Sequence, residues 1–478
     1  MDGLILERYS RQMLLPNCGI HGQKKLLTSK VLVVGAGGIG STVCMYLAAA
    51  GISVSVVDSD VVETSNLHRQ IIHRESHVEM NKAVSAVCRM TELNPTVVYE
   101  SIPEKFSHQN ALQLVSRHDL VIDATDNFEA RYIINDACLL SNIPFISGAS
   151  VGLEGQIRLI IPYSSPCYRC LHPKPSLNES CRSCSNAGVL GPVAGMVGCL
   201  QAIEAIKFLQ TDLTVSDASS SNKANHWTLL EKKQTFYDGS TGSFYNFNLP
   251  ERNPQCRICS KNPSIRSLED SHKILSLDLD TIQSAASHFK VDLPTENCMT
   301  TIQFSEWMNR NNNSQMNRPQ RYVLLDVRNA IQFEMSSFRG YWKDLVTFHS
   351  LSDCVQQQCA TSSSSSNYLI HIPLEVLRGG KEDKLRENKQ QETMKQLQSL
   401  LNNLQDNSGR EALENSSSSN SSDSNAISVA LFVICRRGID STAAVDILLS
   451  HGFGPHVFNI VGGYTAWKDS VDKTFPMY

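Results

Sequence analysis

The sequence predicts an α/β protein built as two successive units, and three observations carry that prediction. Short apolar runs alternate with helix-like stretches through the first part of the chain. A glycine-rich turn, "VLVVGAGGIG", joins the first such strand to the first such helix. The same alternation then resumes near Thr300 and runs to the end of the chain.

In order, "KVLVVG" reads as a strand, "GSTVCMYLAAAG" as a helix and "SVSVVD" as the next strand. A helix follows from about Lys82 to Leu93, then the strands "HDLVIDAT" and "IPFISGA". "GVLGPVAGMVG" reads as a glycine-rich turn leading into a helix, "CLQAIEAIKFLQ", laid on the sheet. These elements form a first domain over 1–265. The mixed stretch 266–296 reads as a linker with local helix. A second α/β domain spans 297–478, with "TIQFSEWMN", the buried strand "RYVLLDVR", "NYLIHIPL", the strand "SVALFVIC", the helix "STAAVDILLSHG" and the strand "HVFNIVGG". Two Ser-rich insertions, near 359–367 and 405–426, are too poor in apolar residues to offset ordering entropy and read as disordered loops.

At 478 residues the chain has room for two or three cores. A formal charge of −4 argues against a chain-wide nucleic-acid or anionic-membrane surface. No signal-type segment and no run of about 18 apolar residues is read from the sequence, so the expectation is a cytosolic protein. In that compartment its 15 cysteines point to metal ligands, reactive thiols or core residues rather than disulfides.

Gly35, Gly37 and Gly40 make a GxGxxG pattern between strand and helix, where phosphate can approach the backbone. Asp58 closes the next strand, suited to ribose hydroxyls. Those features alone fit an NAD dehydrogenase. Arg69, Lys82, Asp126 and Asn127 shift the balance, because all belong at the carboxyl ends of strands. Two cations and a carboxylate suit a triphosphate with Mg²⁺ better than a dinucleotide.

Through "RYSRQ", "GAGGIG", "DSDVVETSNLHRQ", "DATDN", "GQIRL", "PCYRC" and "NAGVLGP", the chain from about Leu6 to Cys259 resembles the E1-type activating enzymes of ubiquitin-like sulfur carriers. The resemblance implies a Rossmann-like doubly wound sheet with structural zinc. It also implies Mg-ATP binding by Gly38, Asp58, Ser65, Asn66, Leu67, His68, Arg69, Lys82, Asp126 and Asn127, with Arg11 reaching a phosphate, across a dimer interface if the enzyme is a homodimer. Such enzymes adenylate the C-terminal glycine of their carrier.

"CRRGIDS", Cys435 to Ser441, follows an apolar strand and opens a helix, so backbone N–H groups can form an anion nest around the sulfur. The helix N-terminus, Arg436 and Arg437 would favour thiolate. A CxxxxxR phosphatase needs arginine where Ser441 stands, which leaves sulfur transfer or an inactive docking module. With "LLDVR" and "VGGYTAW", residues 297–478 resemble a rhodanese domain whose cysteine carries a persulfide. The whole resembles the eukaryotic fusion of adenylyltransferase and sulfurtransferase that serves molybdopterin synthesis and tRNA thiolation. The partners this implies are a ubiquitin-related modifier, the small subunit of molybdopterin synthase and a cysteine desulfurase.

Structural zinc takes four tetrahedral ligands, often from two CxxC turns. Three such turns are present: Cys167 with Cys170, Cys181 with Cys184, and Cys256 with Cys259. Spacing alone favours a local knuckle from the first two. The resemblance instead implies one zinc per chain on Cys167, Cys170, Cys256 and Cys259, and makes Cys184, before "GVLGP", the second reactive thiol. Cys44, Cys88, Cys138 and Cys199 read as core residues, while Cys18, Cys298, Cys354 and Cys359 carry no signal. A non-catalytic carrier-binding scaffold and an NAD-dependent oxidoreductase fused to a sulfurtransferase are the rival readings.

Overall fold

The alternating strands of the first part assemble into one eight-stranded sheet: β1 (Lys30–Val34), β2 (Ser53–Val57), β3 (Tyr99–Ile102), β4 (Leu120–Asp123), β5 (Phe145–Val151), β6 (Glu154–Ile160), β7 (Lys233–Asp238) and β8 (Ser243–Asn248). The computed structural model describes residues 3–175, 188–211, 227–287, 293–312, 322–335, 337–338, 345–352, 354, 367–378, 384–414, 429–454 and 456–475. Strand order is β3-β2-β1-β4-β5-β6-β7-β8. The first five are mutually parallel, and β6 to β8 extend the sheet antiparallel. Burial on both faces explains the continuous apolar runs. Val31 and Val33 face one core with Val43, Leu47 and Val197. Leu32 and Val34 face the other with Ile133, Ile134 and Phe145. The order reverses between β1 and β4, and an open α/β sheet binds ligands at the carboxyl ends beside such a switch.

Two expectations change here. The glycine-rich stretch before "CLQAIEAIKFLQ" is not a turn from Gly191 onward: the helix runs Gly191–Gln210, with proline in its first turn. Its small residues let it lie close to the helix Gly38–Ala50, where the Thr42 hydroxyl donates to the Gly195 carbonyl at 3.0 Å. By length and composition this helix could cross a membrane, but half of its apolar window is buried in the fold. The linker stretch holds a 20-residue helix, Leu268–Ser287, packed by Leu268 and Ile274 on the core that Leu32 and Val34 face. The chain accordingly divides into units Met1–Ala286 and Ser287–Tyr478.

The second unit is a six-stranded, fully parallel sheet of β9 (Cys298–Thr300), β10 (Tyr322–Asp326), β11 (Leu345–Phe348), β12 (Asn367–His371), β13 (Ala430–Ile434) and β14 (Val457–Val461). Its order is β11-β12-β10-β13-β14-β9. A 31-residue helix, Lys384–Glu414, covers one face with Met394, Leu397, Leu400 and Leu404. Residues 405–414, expected in a disordered loop, are the last turns of that helix. The rest of that insertion, 415–426, and residues 359–366 of the other lie outside the described residues.

Candidate active sites and metal centre

A cleft of about 680 Å³ opens at the β1/β4 switch, lined by Gly35, Gly37, Gly38, Asp58, Arg69, Lys82, Asp126 and Asn127, among others. Gly35 has φ +97°, and a Cβ there would meet the Ala124 carbonyl oxygen at 2.8 Å. A Cβ on Gly40 would come within 2.0 Å of the Gly35 oxygen. The pattern is thus a packing requirement that brings loop and helix N-terminus together. Asp58 fixes this loop, accepting from the Ala36 N–H at 2.7 Å and the Asp60 N–H at 2.8 Å. Burial nevertheless pushes its carboxyl above the usual value.

Arg69 is aimed by its own turn: one guanidinium nitrogen donates to the Ser65 carbonyl at 3.1 Å and another to Asn66 Oδ1 at 3.0 Å. Ser65, Asn66, Leu67 and His68 are not among the cleft-lining residues. The Ser65 hydroxyl and the Asn66 amide both donate to Glu63, so they act through the turn's shape. The Lys82 ammonium donates to Asp60 at 2.9 Å, where Lys82 is buried and Asp60 exposed. Asn127 caps the helix Phe128–Ser141 through its oxygen, leaving its amide nitrogen for the cleft. Asp126 is exposed and, among the described residues, has no hydrogen bond or ion pair, so its carboxylate suits a hard cation. Arg11 lies exposed on the helix Gly3–Met13 and does not line the cleft.

Three site residues went unread in the sequence. His73 braces the loop: its Nε2 meets the Ala36 carbonyl at 2.9 Å and its Nδ1 the Ser85 hydroxyl at 2.8 Å. Burial holds its pKa down at about 4, so it is neutral, with the proton on Nε2. Arg131 donates to the carbonyls of Thr125 and Gly148 on the cleft wall. Arg158, noted only inside "GQIRL", is a buried guanidinium on the cleft lining, and burial pulls its pKa below the usual arginine value.

Cys167, Cys170, Cys256 and Cys259 converge, their sulfurs all within 4.8 Å of one another. The sulfurs of Cys167 and Cys170 are 3.7 Å apart, those of Cys167 and Cys256 3.6 Å, and those of Cys170 and Cys259 3.3 Å. Tetrahedral Zn–S bonds of about 2.3 Å place sulfurs about 3.8 Å apart, so the set fits zinc. Cys181 and Cys184 lie outside the described residues. Between the first two ligands, Arg169 is tied to Asp136 by bonds of 2.7 to 3.0 Å, both side chains fully buried. Cys44 and Cys138 are core residues as expected, whereas Cys88 is exposed and Cys199 half-buried because their helix faces turn outward. Cys18 and Cys354, without a sequence signal, are buried. Cys359 lies outside the described residues.

In the second unit, Cys435 directly follows β13 and is buried, its sulfur accepting from the Gly438 N–H at 3.1 Å and the Ser441 hydroxyl at 3.4 Å. The motif "VGGYTAW" supports this loop from behind. Tyr464 N–H donates to the Cys435 carbonyl and Thr465 N–H to the Arg436 carbonyl. Gly463, at φ +56°, permits the approach, since a Cβ would sit 2.1 Å from the Cys435 oxygen. "LLDVR" is structural too: Arg328 pairs with Asp326 at 2.7 Å and lies 4.0 Å over the Tyr464 ring, whose hydroxyl donates to Asp326.

A Rossmann-like α/β sheet with a cationic cleft at its switch point and a nearby four-cysteine cluster defines an E1-like activating fold, and the ThiF family matches residues 9–258. The chain belongs to the ThiF family and, within it, to the MOCS3 adenylyltransferases and sulfurtransferases, and is an enzyme of that class. It is 34% identical over 478 residues to adenylyltransferase and sulfurtransferase MOCS3 of Culex quinquefasciatus, spanning 99% of this chain and 89% of that one. It is 32% identical over 473 residues to the Arabidopsis thaliana protein of the same name, spanning 98% and 85%. Among solved structures, E. coli MccB with ATP aligns at a TM-score of 0.45 and 25% identity, over 53% of this chain and 74% of that one.

Proposed function

We propose that the first unit adenylates the C-terminal glycine of ubiquitin-like sulfur carriers and that the second, a rhodanese domain, supplies persulfide sulfur to give a thiocarboxylate. The observation that carries the reading is the grouping around one helix N-terminus of Arg69, Lys82 and the carboxylate of Asp126, which has no partner among the described residues. Gly38 takes phosphate, Asp58 the ribose, and Arg69 and Lys82 the phosphoryl charge. Mg²⁺, when bound, neutralises the triphosphate, and Asp126 is the residue to hold it. A carboxylate oxygen of the carrier attacks the α-phosphorus, the bond to the bridging oxygen breaks, and pyrophosphate leaves with the electron pair.

The terminal sulfur of a Cys435 persulfide then attacks the acyl carbon and AMP departs, leaving an acyl disulfide. Cys184 thiolate attacks the Cys435 sulfur, which forms a Cys184–Cys435 disulfide and releases thiocarboxylate; a cellular thiol reductant restores the pair. In an alternative order Cys184 first accepts the carrier as a thioester. Zinc on Cys167, Cys170, Cys256 and Cys259 is structural. The carriers are a ubiquitin-related modifier and the small subunit of molybdopterin synthase, so the products serve tRNA wobble-uridine 2-thiolation and molybdenum cofactor synthesis. A cysteine desulfurase charges Cys435, the site of action is the cytosol, and Arg11 serves the cleft of a second copy in a homodimer. Carrier-dependent exchange of labelled pyrophosphate into ATP tests the first step. Wild type exchanges and Asp126→Ala does not; near-normal exchange by that variant would remove the assignment.

A further inference from the structure

One row of the first sheet runs along the rim of the cleft: Val57, Val34, Asp123, Ser147 and Arg158, on β2, β1, β4, β5 and β6 in turn. The ribose-side carboxylate Asp58 follows β2, the glycine loop follows β1, and Asp126 follows β4. Arg158 stands three strands beyond β1, roughly 14 Å away at about 4.8 Å per strand. It is therefore on the side of the cleft away from the nucleoside.

Its surroundings leave it short of partners. Arg158 is 7% exposed, yet among the described residues no hydrogen bond or ion pair reaches its guanidinium. Its guanidinium lies over the face of the Tyr168 ring at 5.2 Å, and Asp123 and Arg131 act on it only through space. The nearest carboxylate in the row, Asp123, is already engaged by the Thr125 N–H and hydroxyl and by the Ser147 hydroxyl, with Arg131 Nε at 3.7 Å. Among the described residues the Arg131 Nε is itself buried without a hydrogen bond. A buried guanidinium with five donors is costly unless an anion meets it, and this one lines the cleft.

We infer that Arg158 receives the carboxylate of the carrier's C-terminal glycine and positions it for attack on the α-phosphorus, an inference that rests on the adenylation reading above. The guanidinium fork holds the carboxylate on one side and leaves an oxygen turned toward the nucleotide. The gain is orientation: two bound reactants face each other with the negative charge of the nucleophile offset.

The test uses the full chain with ubiquitin-related modifier prepared as the free acid and as the C-terminal amide, with binding measured beside a non-hydrolysable ATP analogue. Wild type should bind the acid at least tenfold more tightly than the amide, and Arg158→Gln should bind both alike. In pyrophosphate exchange, Arg158→Gln should raise the carrier KM about tenfold or more while ATP affinity stays within twofold. Arg158→Lys, which keeps the charge without the fork, should fall between. The inference is overturned if wild type does not distinguish acid from amide, if Arg158→Gln still does, or if the variant loses ATP rather than carrier. Melting curves identify a variant that does not fold, in which case the wild-type comparison and Arg158→Lys decide. Absence of exchange by wild type would instead sink the adenylation reading, and the acid and amide binding data are read separately from turnover.

Discussion

Replacing Asp136 with alanine strands Arg169 in the interior beside the cysteine cluster. Both side chains are fully buried, three bonds of 2.7 to 3.0 Å join them, and Asp136 also accepts from the Ser271 hydroxyl at 2.6 Å. Among the described residues Arg169 Nη1 already lacks a hydrogen-bond partner, so none of their acceptors stands ready to take over. Removing one member of a buried pair costs about 3–5 kcal/mol, because the survivor stays charged and desolvated. At about 2–4 °C per kcal/mol for a unit of this order of size, the melting temperature should drop by roughly 6–20 °C. Scanning fluorimetry of the full chain reads the melt, and a chelator-competition dye assay reads zinc, which should be released faster because Arg169 lies between ligands Cys167 and Cys170. The double variant Asp136→Ala with Arg169→Met should recover much of the loss, since the buried charge is gone. A single-variant shift below about 2 °C would refute the reasoning.

Three further outcomes follow from the site. His73 has a folded pKa near 4 against an ordinary 6.5, so the unfolded chain takes up this proton first. Its contribution is complete above pH 6.5 and is lost as pH falls toward 4; the melting temperature should decline across that window, with a shallower slope in His73→Gln, and equal slopes would count against it. Cys256→Ala should abolish the one zinc per chain and destabilise the first unit, whereas elemental analysis showing full zinc would point to the Cys181 and Cys184 knuckle. Cys184→Ala should retain pyrophosphate exchange and zinc yet form thiocarboxylate at least tenfold more slowly; a wild-type rate would remove it from the mechanism.

The parts of the fold that were legible in the sequence are those where local pattern and tertiary environment agree. β1 and β4 are apolar over Val31–Val34 and Leu120–Ile122 because both faces are buried there, and the glycine motif marks its turn because Gly35 and Gly40 admit no Cβ. The helix start at Gly191 was hidden because glycine, which reads as a breaker, is used there for close helix packing. The helix Lys384–Glu414 was hidden by its polar composition, with only a thin stripe of Met394, Leu397, Leu400 and Leu404 facing the core. The β7–β8 hairpin gave a weak strand pattern because β8 is largely exposed. Asp136 and Arg169 lie 33 residues apart, and Cys167 and Cys256 lie 89 apart; spacing alone does not pair them. Cys435 is readable from its loop, whereas the glycines of "VGGYTAW" are explained only by the close approach of Gly463 to the Cys435 carbonyl.

The central claim is that two separate chemistries reside in one chain, and mass spectrometry of the carrier C-terminus tests it most directly. Wild type supplied with ATP, Mg²⁺, carrier, a persulfide donor and thiol reductant should convert the carrier to its thiocarboxylate. Cys435→Ser should yield none while exchanging pyrophosphate at the wild-type rate, and Asp126→Ala should yield none and not exchange. Thiocarboxylate formed by Cys435→Ser at the wild-type rate, or formed by Asp126→Ala at all, would contradict the account.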